Sequence, residues 1–299
     1  MTEILHYDFF AEDCCELERS EGGNRRLAKH NMSSADKALS MLSLFTAERS
    51  AWSAEDAAEQ LDVSLSTAYR YFNSLVSCGL LDRIHRNHYV LGPAIIEHDW
   101  QIRMADPVLK IAKPVMIDLL RGSDGAATVL LCRLYRQRVM CIHQETNRLN
   151  DPISSYERGR PRPMLRGATS KIILAFLPTR TLTNLWRDHR DEIAATGLGA
   201  TFEDFKATLK VLRRNGFCVS RGEVDAGRIG IAAPIFDGSD RIVGSLSVVL
   251  YSTETGDRSI NRLAALVVAA AREIVWTIRT EPQAAVDSDT VVIAGQRRA

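Results

Sequence analysis

The 299-residue chain lacks a strong charge of either sign: 38 lysines and arginines face 37 aspartates and glutamates, a formal net charge of +1. That excludes a polybasic coat for nucleic acid, because non-specific affinity for a duplex grows with the number of phosphates neutralised. There is no apolar run long enough to span a bilayer, so no membrane partner is expected. The start of the chain also lacks a secretory pattern. Glu3, Asp8, Glu12, Asp13, Glu16 and Glu18 precede the first cation, Arg19, and a cytoplasmic location is expected. The six cysteines (Cys14, Cys15, Cys78, Cys132, Cys141, Cys218) form no C-x-x-C pair and have no histidine at metal-ligand spacing. Reduced structural thiols, no metal site and no cofactor are the expectation. No nucleophile–base pair or paired carboxylates stand at workable spacing, so no catalytic residue is assigned and an enzyme is not expected. Internal repeats are absent as well.

What is present is a helix-turn-helix pattern between Ser53 and Gly92. Ser53 caps a helix with Asp56 as its partner, and Ala54, Ala57, Ala58 and Leu61 follow at the spacing of one helical face. Asp62-Val63-Ser64 breaks that pattern. Ser64 caps a second helix, in which Leu65, Ala68, Phe72, Leu75 and Val76 share a face. The opposite face carries Ser66, Thr67, Arg70, Asn73 and Ser74, the side-chain types that meet base edges and phosphates in a major groove. Gly79 ends the helix. Leu80–Ile84 and His88–Leu91 read as two strands joined by a wing, His85-Arg86-Asn87. Ser53 and Ser64 at the two helix starts and Arg86, Asn87 and His88 at the wing are further DNA candidates, although any hairpin tip is polar. Tyr69, at the edge of the apolar face, fits packing as well as a DNA contact. Arg70 is either a phosphate or guanine contact or a plain surface arginine.

Charge within this module is uneven. From Asn31 to Gly92 the net charge is −2, whereas from Ser64 to Gly92 it is +2, with Arg70, Arg83 and Arg86 against Asp82. A single module should therefore bind a duplex weakly, and a dimer is inferred to be required.

The rest of the chain divides around it. Residues 1–32 read as a mobile arm in which Ile4–Phe10 could form a short ordered piece. Residues 33–92 form the DNA-binding domain, opening on a helix that starts at Ser33 or Ser34 and carries Ala38, Met41, Leu42 and Phe45. Residues 93–106 form a linker helix stopped at Asp106-Pro107. Residues 107–280 form a second domain and 281–299 a disordered tail, with Val291–Ile293 a short apolar exception. In the second domain an amphipathic helix through Leu109, Ala112, Met116, Leu119 and Leu120 closes at Gly122. A hairpin joins Thr128–Tyr135 to Val139–Glu145, followed by a polar loop, Thr146–Pro163, and a short helix, Ser170–Leu177. Thr201 with Asp204 opens a helix that ends at Gly216. Ile229–Phe236 and Ile242–Leu250 are strands joined through Asp237-Gly238-Ser239-Asp240, and a last helix spans Ile260–Ile278. The whole is α+β, with an antiparallel sheet and helices packed on it.

This layout resembles the IclR family of bacterial transcription regulators over residues 33–280. The resemblance rests on Ser66-Thr67-Ala68-Tyr69-Arg70, Leu75-Val76, Gly79-Leu80-Leu81 and Tyr89-Val90-Leu91-Gly92 in the first domain. In the second it rests on Gly159-Arg160-Pro161 to Met164, Lys171 to Pro178, Arg214-Asn215-Gly216-Phe217, Glu223 to Gly227 and Ile231 to Asp237. It implies a winged helix-turn-helix, a linker helix and a GAF- or profilin-like effector-binding domain. It also implies a homodimer or dimer of dimers on double-stranded operator DNA, with contact to RNA polymerase as a further route of control. The effector implied is a small organic or aromatic acid. Carried over residue by residue, its pocket takes Ala168, Thr169, Ser220, Glu223, Arg228, Gly230 and Ser247. Ser170 stands where the family has glycine, Val249 where some members are polar, and Gly230 where some have cysteine. Arg228 suits a carboxylate, which points to an acid bulkier than two or three carbons; an ion pair with Glu223 or Asp225 is the other reading of it. Glu223 is read as pocket-shaping rather than as a catalytic acid. The rival readings are a winged module that binds protein beside a scaffold domain, and a metabolite-acting enzyme.

Overall fold

The structure, a computed structural model, describes residues 33–84, 87–123, 125, 127–136, 138–147, 157–254 and 256–280. The expected arm, the His85-Arg86 part of the wing and the expected tail lie outside the described residues. Contacts divide the chain into two units that meet in sequence at Ala105 and Asp106.

The first unit opens on α1 (Ser34–Ser40), whose capping box joins Ser33 and Asp36, and continues into a 3-10 turn, Met41–Leu44. A two-residue strand, β1 (Trp52–Ser53), leads into α2 (Ala54–Leu61), and Ser53 accepts the Asp56 amide as its cap. Asp62 turns the chain through a left-handed conformation into α3 (Leu65–Ser77), capped by Ser64. β2 (Leu81–Arg83) and β3 (His88–Leu91) complete the wing, and β1 adds to β3, giving the order β1-β3-β2. The helix α3 ends in a Schellman turn. The Gly79 amide donates to Val76 and the Leu80 amide to Leu75, both at 2.9 Å, with Gly79 at φ +69°. The core gathers Met41, Trp52, the alanines of α2, Ala68, Phe72, Leu75, Leu81 and Tyr89. Phe72 packs against Tyr89 in a tilted pair with ring centroids 4.5 Å apart. Two positions differ from the periodicity: Leu65 is exposed, and Tyr71 is buried in its place. Leu65 occupies the first turn of α3, where the helix end projects beyond the core. α4 (Ala94–Ala105) follows, with no buried residue.

The second unit begins where Asp106 accepts the amides of Val108 and Leu109 at 2.9 and 3.2 Å, so Pro107 opens α5 (Pro107–Arg121) as well as ending α4. Next come β4 (Ala127–Tyr135), β5 (Arg138–Thr146) and β6 (Pro161–Pro163). The helices α6 (Ala168–Leu174), α7 (Thr179–Ala195) and α8 (Phe202–Asn215) follow. The chain finishes with β7 (Cys218–Arg221), β8 (Arg228–Phe236), β9 (Ile242–Tyr251) and α9 (Asp257–Thr280). The strands form one antiparallel sheet, β6-β5-β4-β9-β8-β7. The expected loop Thr146–Pro163 thus contributes an edge strand at its end, where its prolines need no partner on the outer side. The short helix starts two residues before the expected Ser170 and stops at Leu174. α7 and β7 had no counterpart in the reading of the sequence.

Strand alternation sorts the two faces. Val129, Leu131, Ile229, Ile231, Leu246, Val248 and Leu250 point towards α5 and α9. Leu130, Cys132, Leu134, Ala232 and Val249 point to the face carrying α6, α7 and α8. Ser220 of β7 and Ser245 and Ser247 of β9, on the second face, lie under α6.

Candidate nucleic-acid interface and ligand pocket

On α3 the apolar side is sealed, with Phe72 and Ala68 at 0% exposure, while Ser66, Arg70, Asn73 and Ser74 lie open and Thr67 is half-buried. The hydroxyls at the start of the helix are interlinked: Ser64 Oγ lies 2.8 Å from Thr67 Oγ1 and 3.1 Å from Ser66 Oγ, and it accepts the Thr67 amide. Ser74 turns inward on its own helix, donating to the Arg70 carbonyl at 3.0 Å. Ser53 is likewise engaged as the cap of α2. Arg70 makes no ion pair among the described residues; its guanidinium carbon sits 5.4 Å from the Tyr71 ring centre. Tyr69 donates to Glu55 at 2.8 Å, tying α3 to α2. That bond holds the Glu55 carboxyl below its ordinary value and raises the Tyr69 phenol. At the wing, Arg83 donates to the Asn87 side chain, Asn87 has φ +58°, and His88 lies on β3 rather than at the tip. Arg86 lies outside the described residues.

The pocket in the second unit is assembled from four segments. Register places Ser220 opposite Gly230 and Gly230 opposite Val249, a row across β7, β8 and β9. Over this row lies the start of α6, where the Ala168 amide donates to Ser220 Oγ at 2.9 Å. The resulting cavity is lined by Ala168, Thr169, Ser220, Glu223, Arg228 and Gly230, together with Gly222, Val224, Asp225 and Val249. Its volume is about 20 Å³, room for about one water molecule. A β-carbon at Gly230 would stand 3.1 Å from Ser220 Oγ, so the bare glycine keeps this floor open.

Several polar groups around the head of α6 also hold the fold together. Thr169 donates to the buried Ser247 at 3.1 Å, and Ser245 donates to the Thr169 carbonyl at 3.2 Å, fastening α6 to β9. Ser247 is thus brought to α6 but not to the cavity wall. Glu223 Oε2 accepts the Gly167 amide at 3.0 Å and lies 2.7 Å from the ammonium of Lys171, which is only 8% exposed. Lys171 was visible in the sequence only as part of a motif. Arg228 donates to the Tyr251 hydroxyl at 2.7 Å, and its guanidinium carbon stands 3.6 Å from that ring centre. Cys218, which feels the charges of Lys171 and Glu223, has its thiol pushed up to about 12 by burial; Lys171 opposes that rise and Glu223 adds to it. The segment 222–227 is bracketed by left-handed glycines, Gly222 (φ +65°) and Gly227 (φ +72°), and the Gly222 amide donates to the Arg228 carbonyl at 2.8 Å.

No group of three or more histidines, cysteines or acids that could hold a metal ion occurs among the described residues, and no described helix is long and apolar enough to cross a membrane.

A winged helix-turn-helix joined in one chain to a sheet domain with a small polar pocket defines a DNA-binding transcriptional regulator with an effector domain. The comparisons with known proteins give the family. The IclR helix-turn-helix domain matches residues 34–84, and the bacterial transcriptional regulator IclR C-terminal domain matches residues 104–276. The chain belongs to the IclR family. It is 26% identical over 212 residues to the HTH-type transcriptional regulator KipR of Bacillus subtilis, covering 70% of this chain and 82% of that one. It is 22% identical to the Pca operon regulatory protein of Acinetobacter baylyi, covering 84% and 91%. Among solved structures, a putative IclR regulator from a Silicibacter species aligns with TM-score 0.67 at 19% identity, covering 83% of this chain and 96% of that one. An IclR homologue from Microbacterium hydrocarbonoxydans, complexed with 4-hydroxybenzoate, aligns with TM-score 0.65 at 20% identity, covering 83% and 99%.

Proposed function

We propose that this regulator binds operator DNA as a homodimer or dimer of dimers through α3, and that a small carboxylic or aromatic acid in the second unit modulates that binding. The observation that carries the reading is the solvent-facing side of α3, where Ser66, Arg70 and Asn73 stand opposite a sealed apolar side. These groups suit base edges and phosphates. Ser64, Ser53 and Ser74 support the helix ends and backbone, and Tyr69 braces α3 against α2. Arg86, Asn87 and His88 belong to the wing contact. Contact with RNA polymerase and a cytoplasmic location accompany this reading.

For the effector, Arg228 is the carboxylate anchor and Ala168, Thr169, Ser220, Gly230 and Glu223 form the surrounding wall. The solved homologue bound to 4-hydroxybenzoate supports an aromatic acid as one candidate. With room for about one water, the present pocket admits such a ligand only if the 222–227 segment or the Arg228–Tyr251 pair moves. Ligand then shifts operator binding by its differential affinity for the two arrangements.

The test is fluorescence anisotropy on duplexes selected by the full chain from a random pool, with and without a panel of organic acids. A selected duplex bound with steep salt dependence, and released or tightened by an acid in wild type but not in Arg228→Ala, is the expected result. A chain that enriches no duplex refutes the operator reading. An acid response unchanged in Arg228→Ala refutes the anchor.

A further inference from the structure

Glu223 is bonded on one side only. Its Oε2 takes both the Gly167 amide, at 3.0 Å, and the Lys171 ammonium, at 2.7 Å. No hydrogen bond among the described residues falls on Oε1, although the carboxylate lines the cavity beside Asp225 and the Ser220 hydroxyl. The groups that would draw a second anion are already engaged. Lys171 is held by Glu223 and, at 3.4 Å, by the Thr196 carbonyl. The Gly167 and Ala168 amides at the head of α6 are taken by Glu223 and Ser220. Two carboxylates, Glu223 and Asp225, and one arginine, Arg228, line the wall.

We propose that the pocket selects a monocarboxylate whose far end carries a hydrogen-bond donor, a hydroxyl or an amine, received by Oε1 of Glu223, and that it rejects dicarboxylates. The inference rests on the reading of this cavity as the effector site with Arg228 as its anchor. Closing the site around a ligand that has no donor leaves a desolvated acceptor unpaired. A second carboxylate meets like charge, and selectivity against it comes from that repulsion.

The experiment is isothermal titration calorimetry on the full chain with two pairs of like skeleton, 4-hydroxybutyrate against succinate and 4-hydroxybenzoate against terephthalate, in wild type and Glu223→Gln. In wild type, at least one hydroxy acid binds more than about tenfold tighter than its matched dicarboxylate, a gap of about 1.4 kcal/mol. Glu223→Gln removes the charge and can donate as well as accept, so it narrows the ratio to under about threefold. Equal affinity for the two members of every pair that binds wild type, or an unchanged ratio in Glu223→Gln, overturns the inference while leaving the acid pocket standing. If Glu223→Gln fails to fold, the wild-type ratios decide alone. If no member of either pair binds wild type, the acid-pocket reading falls and takes this inference with it.

Discussion

Arg70→Ala offers the sharpest test of the proposed DNA-reading face. Arg70 is exposed, lies opposite the buried Phe72 side of α3, and makes no ion pair among the described residues. Its removal should leave the fold intact: a surface change of this kind is worth within about 0.5 kcal/mol, a melting shift under about 4 °C for a domain of this size. If its guanidinium neutralises one phosphate per copy, each copy contributes about 0.9 to the slope of log affinity against log salt, and a dimer about 1.8. Anisotropy on a selected duplex between 50 and 200 mM salt reads that slope directly. The variant should bind more weakly at every salt and lose about 1.8 from the slope, uniformly across sequences. An arginine that reads guanine instead relaxes specificity at one base position, by about 1–3 kcal/mol. A variant with unaltered melting, slope and sequence preference refutes the assignment of this face. A variant that unfolds refutes the description of Arg70 as an unconstrained surface group.

Three further outcomes follow from particular contacts. Gly92→Ala should unfold or strongly destabilise the winged unit, because a β-carbon there would sit 2.2 Å from the Gly79 carbonyl oxygen, where neither backbone can yield; urea melts of the variant check this. At pH 8, a maleimide should label Cys78, which is exposed, and spare Cys132, Cys141 and Cys218 until denaturant is added, as mass spectrometry of peptides would show. The Cys218 thiol, at about 12, remains protonated there, and rapid labelling of it would contradict its burial. Tyr69→Phe should lower stability near neutral pH. The Glu55 carboxyl is depressed by the Tyr69 hydroxyl, so its contribution is present above the unfolded value and fades as pH falls through the folded one. The gap between wild type and Tyr69→Phe should therefore close in acid; a gap that widens on acidification contradicts the assignment.

The winged unit was legible because its signals are local. Ser53 and Ser64 each cap the helix that follows within three residues, and Ala68, Phe72 and Leu75 repeat at helical spacing. β1 escaped because two residues carry no period, and Trp52 looks like part of the approach to α2. α7 escaped for another reason. Pro178 reads as a stop, yet it stands at the N-cap of α7, and only Leu182, Leu185 and Ile193 are buried among many charges. The short helix α6 has all seven residues buried, so no polar face marks its limits. Its start is set by bonds from Gly167 and Ala168 to Glu223 and Ser220, more than fifty positions away.

The same distance explains the pocket. Motif likeness supplied Ala168, Thr169, Ser220, Glu223, Arg228 and Gly230, all of which line it, but placed Ser247 with them although that hydroxyl is spent on Thr169. Alternation along β9 puts Ser245, Ser247 and Val249 on one face, but not which of the three meets the cavity; the pairing of Gly230 with Val249 decides that. The role of Lys171 needed the folded chain too, since a lysine in an apolar helix reads as a surface cation until Glu223 is found against it. Burying that ammonium without its partner would be costly, so the pair holds the 222–227 segment onto α6. The cavity is flanked by the Lys171–Glu223 pair on one side and the Arg228–Tyr251 stack on the other. On the proposed reading, a ligand that engages Arg228 competes with the second of these and leaves the first intact. The opening it drives should therefore hinge on the strand end at Gly227 and Arg228, while α6 stays fastened to the sheet.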